Sequence, residues 1–364
     1  MADHLRYMRL ALSLGRRGLG QTWPNPSVGA VIVKDGIVVG RGWTQPGGRP
    51  HAEVEALRRA GEAAKGATLY VTLEPCSHHG KTPPCADAII AAGISHVVSA
   101  LVDPNPEVAG QGHWRMAEAG IVVDVGLCAD EAARAHAGHI RRVRDHRPHV
   151  TLKLAISSDG KVASVGRKPV AITGESARER VHLMRAMNDA VVIGIGTAIA
   201  DDPMLTCRLP GMEGRSPVRI VLDRELRLPI KGALAQSAKQ TPLWVVAGAD
   251  APAERERALK DHGAGVIRAV GNATGIDLQS TLKELAECGI TRLMVEGGPT
   301  VAASFLQADL VDEAVLFHGP GNVGPTGIDA LEGLPLDALT GSPRLRLHDT
   351  QMLGPDRVEF FERT

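Results

Sequence analysis

Apolar positions along the first third of the chain switch between two rhythms. In "SVGAVIVKDGIVVGRGW" (Ser27 to Trp43), two β-rich runs flank Lys34-Asp35-Gly36, which predicts a hairpin. "PHAEVEALRRAG" (Pro50 to Gly61) opens with Pro, carries Val54 and Leu57 at helical spacing and stops at Gly, which predicts a helix. Beyond it "ATLYVTLEP" reads as a strand, "CADAIIAAGI" as a helix, "HVVSALVDP" as a strand, "GHWRMAEAGI" as a helix and "VVDVGL" as a strand. Alternation of this kind predicts a layered α/β domain ending near residue 130.

From Ala132 to His149, "AARAHAGHIRRVRDHRPH" is dense in Arg and His and reads as the solvated face of a connecting helix. A second alternation follows. Strands are expected at "HVTLKLAISSDG", "DAVVIGIG", "VRIVLD", "PLWVVAG", "GVIRAVG", "TRLMVEGG" and "DEAVLFHG", with helices such as "ESARERVHLMRAM" and "LQSTLKELAECG" between them. The last forty residues favour an antiparallel pair, "RLRLHDTQ" and "DRVEFFER", around Gly354-Pro355-Asp356. No fixed-period repeat or low-complexity tract interrupts this pattern. The expected organisation is two α/β domains, residues 1–146 and 147–364.

Composition adds exclusions. A chain of 364 residues suits two domains, each with its own core. Lys+Arg and Asp+Glu are equal at 41 each, so no global charge points to nucleic acid or an anionic membrane. The opening "MADHLRYMRLALSLGRRG" has helical rhythm but not the order of a signal peptide, and the longest apolar run, Ala190 to Ala200, is too short for a membrane span. The expected location is cytoplasmic and reducing, where a disulfide is disfavoured.

That matters for "TLEPCSHHGKTPPC" (Thr72 to Cys85), which holds two of the five cysteines. They can be a disulfide, a pair of metal ligands or two inert thiols. With His51 ahead of them, Cys76 and Cys85 complete one imidazole and two thiolates, three of the four positions of a tetrahedral zinc, leaving one for water. A helix start at Cys85 favours the thiolate form. Glu53, two residues from His51, lies on a different side of the helix and is better placed to handle protons on a metal-activated water than to ligate. A closed structural zinc with His78 or His79 as fourth ligand is the competing reading, but it has no use for Glu53. Cys128, Cys207 and Cys288 read as ordinary small hydrophobes.

The pairing of His51-Ala52-Glu53 with a downstream Pro-Cys and second Cys resembles the zinc-dependent nucleobase deaminases, whose Glu is acid/base and not a ligand. Their common spacing is C-x-x-C; here eight residues separate Cys76 from Cys85. That longer loop, with "NPSVGAVIV" and "DPNP" at Asp103 to Pro106, resembles the deaminase half of the bifunctional deaminase–reductases of riboflavin biosynthesis over residues 1 to 145. The resemblance implies a cytidine-deaminase-like three-layer fold, Zn2+ on His51, Cys76 and Cys85, and substrate contacts from Asn25, His78 and Lys81. At Thr44 many relatives carry His, so a contact there is weaker or made differently.

In the second half two glycine turns compete for a nucleotide. "VVIGIGTAIADDP" places Gly194 and Gly196 after a strand, yet lacks the third small residue and the well-spaced acid of a dinucleotide fingerprint. "LMVEGGPTVAASFL" is cleaner: a strand, Gly297-Gly298, then a helix whose free N–H groups can hold a pyrophosphate. Together with "LKLAISSDGK" these stretches resemble the reductase half of the same family, over residues 147 to 364. This implies a dihydrofolate-reductase-like three-layer fold and NADPH. Ala155, Thr197, Asp201 and the stretch of Gly298, Pro299, Thr300, Val301, Ala302, Ala303 and Ser304 would meet the cofactor. Lys153, Arg185, Leu205, Arg208 and Glu296 would face a phosphorylated ribosylaminopyrimidine.

Two stretches depart from the family. In "GRKPVAITG", Pro169 and Ala171 replace a hydroxyl and an aromatic on the cofactor side, and "FHGPGNVGPTG" (Phe317 to Gly327) replaces a different loop. They motivate a rival in which the second half only binds or dimerises. A nucleic-acid base deaminase is a further rival, but it needs a basic, aromatic-bearing channel, and aromatics are only 3% here. The resemblance also implies a homo-oligomer, dimer or tetramer, and no membrane or nucleic-acid partner.

Overall fold

Alternation along the strands sorts side chains onto two faces. In the computed structural model, which describes residues 2–78, 83–272 and 275–364, the chain forms two units, Met1–Arg147 and Pro148–Thr364. In the first unit Ala30 and Ile32 of the strand Gly29–Lys34 join a core with Ala52 and Ala56 of the helix Ala52–Ala60, Ile89 of Cys85–Ala91 and Met116 of Gln111–Glu118. Val31 and Val33 of the same strand point the other way, to Met8 and Leu12 of the helix Ala2–Gly15 and Ala132 of Ala129–Ala135. The result is three layers, helix, sheet, helix.

The sheet runs in the order Ile37–Trp43, Gly29–Lys34, Thr68–Val71, His96–Ser99, Val122–Val125. Its first two pairings are antiparallel and the others parallel. The expected hairpin turns at Asp35 and Gly36, both left-handed at φ 50° and 77°, as a two-residue turn requires. The helix after it begins at Ala52, not at Pro50: His51 keeps an extended backbone (φ −69°, ψ 160°) as the N-cap residue. Strand and helix backbones touch here. A Cβ on Gly40 or Gly42 would lie 2.3 Å from Ala56 O or 2.4 Å from Ala52 O, so only glycine lets the helix settle and present His51 and Glu53.

The basic run after residue 130 differs from the expected solvated helix. It is two helices, Ala129–Ala135 and Ala137–Asp145, broken at His136, and they belong to the first unit. Arg134 and Arg144 stay exposed. His136 is only 2% exposed, its Nε2 3.0 Å from the Thr72 hydroxyl, and His139 Nε2 lies 3.0 Å from Asp103 Oδ1. A sequence reading by charge misses this because His136 and His139 turn inward while Arg134 and Arg144 turn out.

The second unit is built on a nine-stranded sheet. Its spatial order is Gly265–Ala269, Leu243–Gly248, Val218–Leu222, Ala190–Gly194, Arg292–Val295, His149–Ile156, Glu313–His318, Asp356–Arg363, Leu345–Leu353. All pairings are parallel up to Glu313–His318; the last two are antiparallel, and the final hairpin turns at Gly354 with φ 62°. Every residue of Ala190–Gly194 is buried, the signature of a strand covered on both faces. Because the three central strands are parallel, their carboxyl ends come out side by side, where open α/β sheets place ligands. Among the described residues, no helix is long and apolar enough to cross a membrane.

Candidate active sites

In the first unit, the extended N-cap carries His51, the loop after Thr68–Val71 carries Cys76, and the first residue of the helix Cys85–Ala91 is Cys85. Three elements thus converge. The ligand atoms of these residues all lie within 4.8 Å of one another, with His51 Nδ1 3.7 Å from Cys76 Sγ and 3.3 Å from Cys85 Sγ. Zinc bonds of about 2.3 Å to sulfur and about 2.0 Å to nitrogen, set tetrahedrally, separate N from S by about 3.5 Å, so the donor set fits the ion. The Cys85 amide N–H donates to Cys76 Sγ at 3.3 Å, the support a thiolate ligand needs. His78 is exposed and does not join the cluster; His79 and Lys81 lie outside the described residues.

A hydrogen bond from Cys85 lowers Cys76 to about 4, helped by His51, while that same bond and burial push Cys85 up. The bond to Cys76 raises His51. Glu53, in the first turn of its helix, is 3% exposed and its Oε2 has no hydrogen-bond partner. Burial raises Glu53, with the nearby His51 pulling it down. A carboxyl that is dry, has one oxygen without a partner and lies next to the cluster is equipped to carry a proton. Asn25 donates its amide to Gly48 O at 2.8 Å, so that group is committed to the turn before His51.

Glu74 was not anticipated from sequence. Its buried carboxylate accepts four backbone N–H groups: Asp103 at 3.1 Å and Gly110 at 2.9 Å on one oxygen, Gly112 at 2.8 Å and His113 at 3.3 Å on the other. It pins the segment 103–113 against the loop that carries Cys76. The available signal was a lone acid between Leu73 and Pro75, just ahead of Cys76.

In the second unit the carboxyl ends of the central strands enclose a cleft of about 500 Å³. Lys153 and Ala155, Thr197 and Asp201, and Glu296 with Gly298 to Val301 all line it. The Thr197 hydroxyl accepts the Gly298 N–H at 3.0 Å, and a Cβ on Gly298 would lie 2.8 Å from that oxygen. Lys153 is half-buried over the Phe317 ring, 5.7 Å from its centroid, and burial lowers its pKa against the opposing pull of Glu296. Pro169 and Ala171, at the departure from the family pattern, also line the cleft, together with Arg167 and Arg178, which sequence reasoning did not single out.

Other expected contacts are placed differently. Arg185 closes a two-pronged ion pair on Glu296 (3.0 and 2.7 Å) and donates to Thr206 O at 3.1 Å, so both partners are already committed to each other. The Leu205 side chain is in the core, on a left-handed backbone of φ 53°, which leaves its main chain to meet a ligand. Ala302 and Ala303 are buried within the helix Pro299–Gln307, and Ser304 turns back to Thr300 O at 2.8 Å on a neighbouring cavity. Arg208 is exposed, within 3.4 Å of the Thr206 hydroxyl.

Comparison with known proteins matches both units. Residues 1–101 match the cytidine and deoxycytidylate deaminase zinc-binding region, and residues 148–358 match the RibD C-terminal domain. The chain is 43% identical over 357 residues to the riboflavin biosynthesis protein RibD of Aquifex aeolicus, covering 98% of each, and 41% identical over 363 residues to that of Escherichia coli, covering 96% of each. Among solved structures it resembles Acinetobacter baumannii RibD (TM-score 0.89, 37% identity, 100% and 99% coverage). It also resembles a diaminohydroxyphosphoribosylaminopyrimidine deaminase/5-amino-6-(5-phosphoribosylamino)uracil reductase from Thermotoga maritima (TM-score 0.86, 35% identity, 100% and 99% coverage). The expected fold class holds for both units. With a zinc-type donor set in one unit, a cleft at a parallel-sheet edge in the other and full-length identity above 40%, the chain belongs to the RibD family, the bifunctional deaminase–reductases of riboflavin biosynthesis.

Proposed function

We propose that the first unit deaminates 2,5-diamino-6-ribosylamino-4(3H)-pyrimidinone 5′-phosphate at a zinc held by His51, Cys76 and Cys85. Zinc supplies an acidified water at neutral pH. Glu53 takes a proton from that water and delivers it to the departing nitrogen, since it is the buried carboxyl beside the cluster and one of its oxygens has no partner. The cluster positions, Glu53 moves the proton, and His78 and Lys81 in the same loop meet the substrate. The observation that carries this reading is the convergence of three ligand atoms within 4.8 Å next to the orphaned Glu53 oxygen.

In the second unit the substrate is the deaminated product, and NADPH supplies hydride to C1′ of its ribose. The helix start at Thr300 and Val301 offers N–H groups to the pyrophosphate, Thr197 fixes the turn by accepting the Gly298 N–H, and Lys153 with the Arg185–Glu296 pair faces the sugar phosphate. Exposed Arg208 is the cation left to meet the phosphate. A second unit that merely binds or dimerises is disfavoured by the joint presence of Lys153, Thr197 and Glu296 in one cleft. Assembly as a dimer or tetramer belongs to this proposal and is read by sedimentation.

The test compares wild type with Glu53→Gln for zinc per chain and ammonia release. About one zinc in both, with release at least about a hundredfold lower in the variant, is the expected result. Equal release would remove Glu53 from the chemistry, and no release from either would mean a different substrate.

A further inference from the structure

The cleft of the second unit is bounded on one side by residues 163–173 and on another by the start of the helix Pro299–Gln307. Arg167 comes from the first wall, on a left-handed backbone (φ 61°) that a non-glycine residue adopts only when its surroundings hold it there. Its guanidinium donates to one oxygen of Glu332, and the other oxygen of Glu332 accepts the hydroxyl of Thr300, the second residue of that helix. The Glu332 N–H in turn donates to Pro299 O at 3.4 Å. A carboxylate therefore lies at the positive end of the helix with a guanidinium beside it. That is the charge pattern of a bound phosphate, filled from within the chain.

This arrangement is built to exchange. The two side chains are 51% and 42% exposed, so water screens the pair and it is weakly held. The other cations lining the cleft have different surroundings: Lys153 lies over Phe317 near Glu296, and Arg178 donates to Thr173 O at 3.5 Å. Among the described cations of the cleft, Arg167 is the one joined to the helix start. It also belongs to the stretch in which Pro169 and Ala171 remove a hydroxyl and an aromatic.

We infer that Arg167 is the clamp on the cofactor phosphates in this chain, and that Glu332 holds its guanidinium at the helix start until a phosphate replaces the carboxylate. The inference rests on the reading of the cleft as an NADPH site. Arg167 positions the dinucleotide and takes no part in hydride transfer.

The experiment is a titration of the full-length protein with NADPH, followed by cofactor fluorescence at low salt, with a thermal melt of each variant as a check on folding. Arg167→Gln is expected to weaken NADPH about ten- to a hundredfold, the loss of one charged hydrogen-bonding partner. Arg167→Lys should recover part of that loss, since it keeps the charge but not the fork. Glu332→Gln removes the competitor and should tighten NADPH about three- to tenfold. Opposite signs distinguish exchange from simple support. The inference is overturned if Glu332→Gln weakens binding alongside Arg167→Gln, or if Arg167→Gln binds within about twofold of wild type. A wild type that binds no NADPH at millimolar concentration would instead remove the NADPH reading, and this inference with it.

Discussion

The Thr197 hydroxyl accepts the Gly298 amide N–H at 3.0 Å, so the two glycine turns that compete in the sequence for a nucleotide are parts of one structure. One turn buttresses the other. Thr197→Val keeps the volume but leaves the Gly298 N–H without its acceptor. Stability should fall by about 1 kcal/mol and NADPH should bind several-fold more weakly, as read by thermal melts and cofactor titration.

Lys153 combines a stability cost with the place in the cleft from which its role in reduction is proposed. Burial places its folded pKa below the unfolded value, with Glu296 opposing. The unfolded chain therefore binds the proton more tightly, so the ammonium costs stability at neutral pH, and the cost fades as pH rises toward about 10.4. Lys153→Met should raise the melting temperature by a few degrees while lowering reductase turnover about a hundredfold. A variant that loses both stability and turnover would contradict this account.

Glu74 concentrates four backbone hydrogen bonds on one buried carboxylate. Glu74→Gln keeps the shape but replaces one accepting oxygen with an amide that only donates. The first unit should lose about 2–4 kcal/mol. Denaturant unfolding followed at Trp23, Trp43 and Trp114 measures it.

Zinc retention should depend on pH. Binding requires a neutral His51 and two thiolates, yet the bond to Cys76 raises His51, and the bond to Cys76 and burial push Cys85 up. Protons therefore compete from a higher pH than for unperturbed groups, and affinity falls as pH falls. Dialysis should leave about one zinc per chain near pH 8 and progressively less below about pH 6, with ammonia release falling in step.

Asp159 ties down the loop that departs from the family. It accepts the Ser157 hydroxyl and the N–H groups of Val323 and Gly324, which together hold it at about 2. A depressed folded value means the tie is present above the unfolded value, about 3.9, and is lost as pH falls toward about 2. Asp159→Ala should speed hydrogen exchange at the Val323 and Gly324 amides at neutral pH, with strand amides unchanged.

What could be read from sequence was local in origin. The helix Glu175–Met187 matches its expected span because periodicity and ends lie within the segment itself. The metal cluster was legible because thiols in a reducing setting have few uses, and because Glu53 beside a ligand has a specific one. The rest depends on distant partners. Glu332 is 165 residues from Arg167, and His136 is 64 from Thr72, so no window of sequence contains either pair. The burial of the Leu205 side chain was not legible either, because it goes with a left-handed backbone that no motif announces.

The break at His136 has a practical consequence for dissecting the enzyme. Thr72, only 1% exposed, holds the Gly29 amide through its hydroxyl and meets His136 Nε2 at the same oxygen, four residues ahead of Cys76. Excising the first unit at residue 130, where its last strand has already ended, would strip that imidazole away and wet the floor beneath the metal loop. A severable deaminase half has to keep the basic tail through Arg147, because what looks like tether is masonry.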